Sequence, residues 1–317
     1  MTALEPRAVV SITRLGCGVA EAIVSLIADE GAVVGRFRRA LNLRSASGRL
    51  LVLHGRDLPL TPFSAELADV PDPWPPVGAP ARITRGHLRV GRLKLRLPAR
   101  RDAAASMILV PTTVRSEAAS ILEPMAARST FGRWWCVSEA DGDPHTSWAT
   151  RPARVALRRL VHAVQRSDRA GAVGAGLSLL GLGPGLTPSG DDALVGFLGA
   201  WRWLSPRPLD GDAPPTLDDD IRRAVLGAIV ERAPSATTPI SAEFLHHRCA
   251  DRVSEPLLHL FAALASGSRH EILDSAERIA AWGATSGVDT LAGVHSLLRA
   301  SGRAPLQMAR VQHRVSS

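Results

Sequence analysis

The sequence predicts an α+β protein. A β-rich N-terminal part (1–114) is followed by a mainly α-helical C-terminal part (115–317), which carries two similar helix starts that would suit an internal pseudo-repeat. Three observations lead there. Short alternating segments fill the chain up to about residue 110, helical spacing of apolar residues dominates after 115, and one eight-residue pattern occurs twice in the later part.

Residues 8–30 have room for a first strand and a short helix. Ala32–Leu43 and Leu50–His54 flank the turn Ser45-Ala46-Ser47-Gly48 and read as a hairpin. The stretch from Pro59 to Pro80 is rich in proline and reads as a loop or edge crossing. In Leu93–Leu97, leucines alternate with Arg92, Lys94 and Arg96, as in a strand with one solvated face. Leu88 and Val90 have the opposite parity, which places a turn or bulge at Gly91. Helices are expected at 115–127, 153–168, 191–204, 217–232, 240–265, 269–282 and 288–300. Segments 129–150 and 205–216 read as irregular, with Trp134 and Trp135 anchoring the former.

Composition excludes several classes. The chain is 317 residues long, 45% hydrophobic and 21% charged, so it is rich enough in apolar residues to build a core. Its three cysteines lie far apart, which rules out a disulfide scaffold or a cysteine zinc finger. No apolar run is long enough to span a bilayer and no signal peptide is legible, so we expect no membrane association and a cytoplasmic protein. The net charge is +8, but arginine supplies nearly all of it and it is spread along the chain. With 4% aromatics and no tyrosine, a base-stacking surface is poorly supplied, so nucleic acid is not an expected partner.

The informative segment is Leu179–Trp201, LLGLGPGLTPSGDDALVGFLGAW. Gly181, Gly183, Gly185 and Gly190 alternate with two prolines, which neither a helix nor a strand tolerates. The loop then opens a helix whose apolar face is Leu194, Phe197, Leu198 and Trp201. Ser189 reads as its N-cap, with Asp192 as a capping-box-like partner and Asp191 beside it at the positive helix end. Capping accounts for Ser189, Asp191 and Asp192 but leaves the glycines unexplained. A glycine loop feeding a helix N-terminus suits a phosphate or carboxylate, held by Gly183, Gly185, Thr187, Ser189 and Gly190. The Asp pair has, alternatively, the donor type for Mg²⁺ with a phosphate ligand. Neither a P-loop nor a dinucleotide fingerprint is present.

Residues 286–293, SGVDTLAG, repeat residues 189–196, SGDDALVG, as S-G-x-D-x-L-x-G. Two such starts facing one cleft would bring Ser189, Asp192, Ser286 and Asp289 together, with Gly287 beside them. The alternative is two independently capped helices. Thr238 and Ser241 stand at a third loop-to-helix junction, either as hydroxyls that line the same anion-binding pocket or with Ser241 as a natural N-cap and Glu243 just inside the helix. His246 and His247 are adjacent and make a poor metal pair, His259 and His295 are isolated, and Cys249 falls inside the expected helix.

Gly181–Gly196, GLGPGLTPSGDDALVG, resembles the signature of the AllH family of oxamate carbamoyltransferase subunits. Thr285–Gly293 and Thr238-Pro239-Ile240-Ser241 also resemble family blocks, and Arg39–Leu43 does so more loosely. The resemblance implies a role in purine or allantoin breakdown, where phosphate cleaves oxalurate to oxamate and carbamoyl phosphate. It implies partner subunits and small anionic ligands: phosphate, carbamoyl phosphate and oxamate. Ser129-Thr130 is followed by Phe131, so the S-T-R-T loop of aspartate and ornithine carbamoyltransferases is absent and their fold is not expected. Carbamoyl transfer needs oriented donors for a developing oxyanion. The glycine loop, Thr187, Ser189 and Ser286 would supply them, and Asp191, Asp192 or Asp289 would act as base or orient the attacking group. The other reading is a non-catalytic anion-binding or assembly subunit.

Overall fold

The computed structural model describes residues 9–98, 117–131, 151–204, 217–249 and 251–303. The chain divides into two compact units. The first comprises residues 1–109 and 237–262, the second 110–236 and 263–317. Of the irregular segments expected at 129–150 and 205–216, residues 132–150, with Trp134 and Trp135, and all of 205–216 lie outside the described residues.

The first unit is a closed eight-stranded barrel. Its strands are β1 (Val10–Leu15), β2 (Gly31–Arg36), β3 (Ala40–Arg44), β4 (Leu50–His54), β5 (Ser64–Leu67), β6 (Pro80–Thr84), β7 (His87–Val90) and β8 (Leu93–Arg96). They close in the order β1-β5-β4-β3-β2-β6-β7-β8. The β1–β8 and β4–β5 pairs are parallel and the others antiparallel. Closure leaves no open sheet edge. Alternation sets the facing: Leu88, Val90, Leu93 and Leu95 are buried while Arg89 and Arg96 are exposed. Gly91 makes the intervening turn with φ +55°.

Two details differ from the sequence expectation. Ala32–Leu43 is two strands, β2 and β3, broken at Phe37–Arg39, and the hairpin across Ser45–Gly48 joins β3 to β4. The proline-rich stretch contains β5, whose four residues are all buried. Helix α1 (Val19–Ala28) packs Val19, Ala22, Ile23 and Leu26 into the barrel core.

Helix α7 (Pro239–Cys249) belongs to this unit, as does α8 (Glu255–Ser266) as far as Ala262. The sequence predicts one continuous helix over 240–265, but the chain breaks between α7 and α8. Phe63 of the barrel meets Phe244 edge-on and stacks on His247. Glu21 of α1 holds Arg252 at 2.6 Å and His246 at 2.9 Å. Burial works against the Glu21 carboxylate, but these two partners prevail and bring its pKa down to about 2.

The second unit is helical. Its elements are α2 (Ala118–Ala126), α3 (Arg151–Gln165), α4 (Arg169–Leu179), α5 (Ser189–Leu204), α6 (Leu217–Ala236), α9 (Arg269–Ala280) and α10 (Ser286–Arg303). The apolar spacing of the sequence does not predict α4. Gly171, Gly174 and Gly176 weaken its helical propensity, while Asp168 caps it by accepting the Gly171 N–H.

Helices α5 and α10 are the central pair. Each is buried on nearly every side rather than along one stripe. They approach closely at two glycines. A Cβ on Gly196 would lie 2.0 Å from the Thr290 carbonyl oxygen, and one on Gly293 would lie 2.0 Å from that of Ala193. The two contacts are reciprocal: Gly196 and Gly293 occupy the last position of the repeated octapeptide, and Ala193 and Thr290 its fifth. No helix among the described residues is long and apolar enough to cross a membrane.

Candidate functional site

The starts of α5 and α10 are built alike. The Leu182 N–H donates to the Leu179 carbonyl at 3.1 Å, and the Trp282 N–H to that of Ile279 at 2.9 Å. The next residues, Gly183 and Gly283, take the left-handed angles φ +116° and +68°. The chain then returns, and the Gly190 and Gly287 N–H groups donate to the carbonyls of Leu182 and Trp282 at 2.8 and 2.9 Å. The loops differ in length. Residues 184–188 separate Gly183 from Ser189, whereas only 284–285 separate Gly283 from Ser286. The longer loop is exposed at Gly183–Leu186, with Leu186 at its tip.

These bonds alter how the expected residues act. The Asp191 and Asp192 N–H groups both donate to the Pro188 carbonyl, at 2.9 and 3.1 Å. Ser189 therefore does not cap α5 through a capping box with Asp192; its hydroxyl points across to Thr130, 3.0 Å away. The Gly190 and Gly287 amides are already engaged, and the structural requirement for these two glycines is space. A Cβ on either would fall within 2.0 Å of a backbone carbonyl of the preceding helix. Asp191 is buried and accepts the Gly181 N–H at 2.8 Å, which ties the loop to the helix.

Asp192 and Asp289 behave differently from Asp191. Asp192 interacts with the hydroxyls of Ser286 and Thr187, which lie 2.7 Å apart. Asp289 interacts with the hydroxyls of Ser189, Thr130 and Thr285. Each aspartate thus meets the serine of the other helix. Ser189, Asp192, Ser286 and Asp289 come together, with Thr187 and Thr130 alongside.

Asp289 is fully served. Its Oδ1 accepts the Thr130 backbone N–H at 2.7 Å and its Oδ2 the Thr130 hydroxyl at 3.0 Å. Asp192 is not: its Oδ2 is buried and accepts no hydrogen bond among the described residues. Burial is the main cause that raises both carboxyl pKa values, and for Asp192 the charges of Asp289 and Asp191 add to it. Among the described residues no Lys, Arg or His forms an ion pair with Asp192 or Asp289. No group of three or more His, Cys, Asp or Glu side chains suited to a metal ion occurs among the described residues either.

Thr130 is the member that sequence reasoning missed. It lies 59 residues from Ser189 and 159 from Asp289, so no local pattern points to it.

Thr238 and Ser241 lie in the first unit, at the start of α7. Thr238 rather than Ser241 is the cap. Its hydroxyl accepts the Ser241 N–H at 3.2 Å, and Pro239 takes the first helical position, where its missing N–H costs nothing. Glu243 is buried and lies 3.3 Å from His247 and 3.6 Å from Arg49. His295 is buried on α10 beside Arg299; burial first, then that charge, lowers its pKa to about 3, so it is neutral.

Residues 179–298 match the model of the family described as oxamate carbamoyltransferase subunit AllH, the family that the sequence resembles. The matched segment contains the starts of both α5 and α10. No solved structure matches the chain.

Proposed function

We propose that this chain is a cytoplasmic subunit of an oxamate carbamoyltransferase-like enzyme. The reaction would be phosphorolysis of oxalurate to oxamate and carbamoyl phosphate, or a related carbamoyl transfer with partner subunits. One observation carries this reading: the matched segment contains a buried carboxylate, Asp192, with an unserved oxygen beneath an exposed glycine loop. A buried polar atom without a partner is costly, and a bound group that serves it would offset that cost.

On this reading the small anionic ligand lies against Gly183, Gly185, Thr187 and Ser286, and Asp192 orients the reacting group. Asp289 holds Thr130 and Ser189 in place, and Asp191 holds the loop. The two alike helix starts, with their reciprocal glycine contacts and crossed Asp–Ser pairs, support an origin by internal duplication. A second reading is a non-catalytic anion-binding or assembly subunit. The engaged Gly190 and Gly287 amides favour it, because they leave fewer donors for a developing oxyanion.

The test is turnover of oxalurate and phosphate by the chain assembled with its partner subunits. The enzymatic reading expects Asp192→Ala to lower kcat by about a hundredfold or more with assembly intact. Unchanged kcat in that variant assigns the chemistry to another subunit.

A further inference from the structure

The outer face of β6–β8 carries a charge pattern that the ligand reading does not use. The register sets Arg82 opposite Arg89 and Arg89 opposite Lys94, so three cations stand in one row across three strands. The next row is Thr84, His87 and Arg96. Arg85 and Arg92 stand at the two turns, and both are exposed. Like charges directly opposite one another destabilise a sheet. Several other arginines of this unit meet carboxylates: Arg14 meets Glu66 and Glu255, Arg39 meets Asp57, and Arg252 meets Glu21. Among the described residues, none of the six cations from Arg82 to Arg96 forms an ion pair.

Two ordinary explanations do not cover the row. Charges that blunt a sheet edge have no task here, because the barrel is closed. A face that is merely solvated would mix both signs, yet residues 82–96 contain no aspartate or glutamate. The β6–β7 turn adds to the pattern. Arg85 and Gly86 have φ +46° and +74°, as in a two-residue turn whose first place favours asparagine, aspartate or glycine. Arginine there accepts a strained backbone and sets a further charge at the rim of the face. Short turns hold the three strands over a core that includes Ile83, Leu88, Val90, Leu93 and Leu95.

We propose that the outer face of β6–β8 docks a partner subunit through a row of carboxylates on that subunit. Cβ atoms directly opposite across strands are about 4.5–5.5 Å apart, and those three or four residues apart on a helix about 5–6 Å. An acidic stripe along one helix, laid across the strands, therefore matches Arg82, Arg89 and Lys94 one to one. A second copy of this chain presenting the same face would set cation against cation. Nucleic acid fits less well, because the outward side chains of the two rows are Arg, Lys, His and Thr, with no Phe or Trp on which a base would stack. The proposal rests on the reading of the chain as one subunit among several, but not on Asp192 or its cluster.

Arg89→Glu tests this. It sets a carboxylate between Arg82 and Lys94, so the free protein gains opposite-charge neighbours and its thermal midpoint should hold or rise. Docking of the full chain to its partner subunits, read by light scattering, should nonetheless weaken about tenfold or more. Arg159→Glu, at an exposed position on α3, changes the net charge equally and should leave docking within about threefold. Equal weakening by the two variants reduces the effect to net charge and overturns the proposal. So does unchanged docking of Arg89→Glu, which leaves the subunit reading standing. A poly-thymidine oligonucleotide that binds the wild type more tightly than the partner subunits do, and is lost in Arg89→Glu, makes the face a nucleic-acid site and overturns it too. A wild type that docks to no partner subunit ends the subunit reading and this proposal together.

Discussion

Gly196→Ala is expected to destabilise the second unit by about 3 kcal/mol or more, or to prevent its folding. The new methyl group would meet the Thr290 carbonyl oxygen at 2.0 Å and its carbon at 2.9 Å. Both are backbone atoms of α10, so no side chain can swing aside. Relief requires α5 and α10 to separate, and these two helices form the centre of the unit. Helix propensity acts the other way: alanine is favoured over glycine by about 1 kcal/mol in a helix interior. The clash outweighs that gain, so the substitution is destabilising. Gly227→Ala in α6 is the matched control. That glycine is exposed and has open space where the Cβ would go. It should gain about 0.5–1 kcal/mol. Thermal denaturation of the two variants should give midpoint shifts of opposite sign.

Asp192 and Asp289 should also respond in opposite ways, although they hold the same position of the repeated octapeptide. Asp289 accepts the Thr130 N–H and hydroxyl and faces the hydroxyls of Ser189 and Thr285. Asp289→Asn removes the charge those donors face and should cost about 1–2 kcal/mol. Asp192 carries a buried oxygen with no donor, beside the charges of Asp289 and Asp191. Asp192→Asn removes that repulsion and should raise the ligand-free stability by about 1 kcal/mol, a midpoint shift of roughly 2–4 °C. A residue whose neutralisation stabilises the protein but weakens ligand binding is the usual mark of a binding group held at a cost to the fold. Equal destabilisation by both substitutions would mean that Asp192 is an ordinary structural carboxylate.

The sequence made the local rules legible. The alternation in Leu93–Leu97 and the turn at Gly91 both follow from side-chain parity, which is a property of neighbouring residues. The octapeptide repeat pointed to Ser189, Asp192, Ser286 and Asp289 as one cluster, and the structure brings these four together. Non-local pairing was harder to read. Barrel closure depends on β1 meeting β8, and no hairpin signal announces a contact between the first strand and the last. Strand β5 was hidden among prolines, although its parallel pairing with β4 satisfies its backbone. Helix α4 was hidden by its glycines.

Capping was the least legible feature. Ser189 and Ser241 have the residue type of an N-cap, yet Pro188 and Thr238 serve the first amides instead. One residue of offset decides which hydroxyl stays free to cross to another element. Thr130 shows the same limit: its partners are fixed by how α2, α5 and α10 pack, not by its neighbours in the chain.

The most direct test of the central claim, that the crossed Asp–Ser cluster of α5 and α10 is the ligand site, is thermal denaturation with added ligand. The purified chain would be heated with oxamate, carbamoyl phosphate, oxalurate or phosphate, as wild type and as Asp192→Ala. The account expects saturable stabilisation of the wild type by at least one of these anions, about 2.7 kcal/mol at a hundredfold excess over Kd, and none in the variant. Equal stabilisation of both proteins would place the ligand elsewhere and contradict the account.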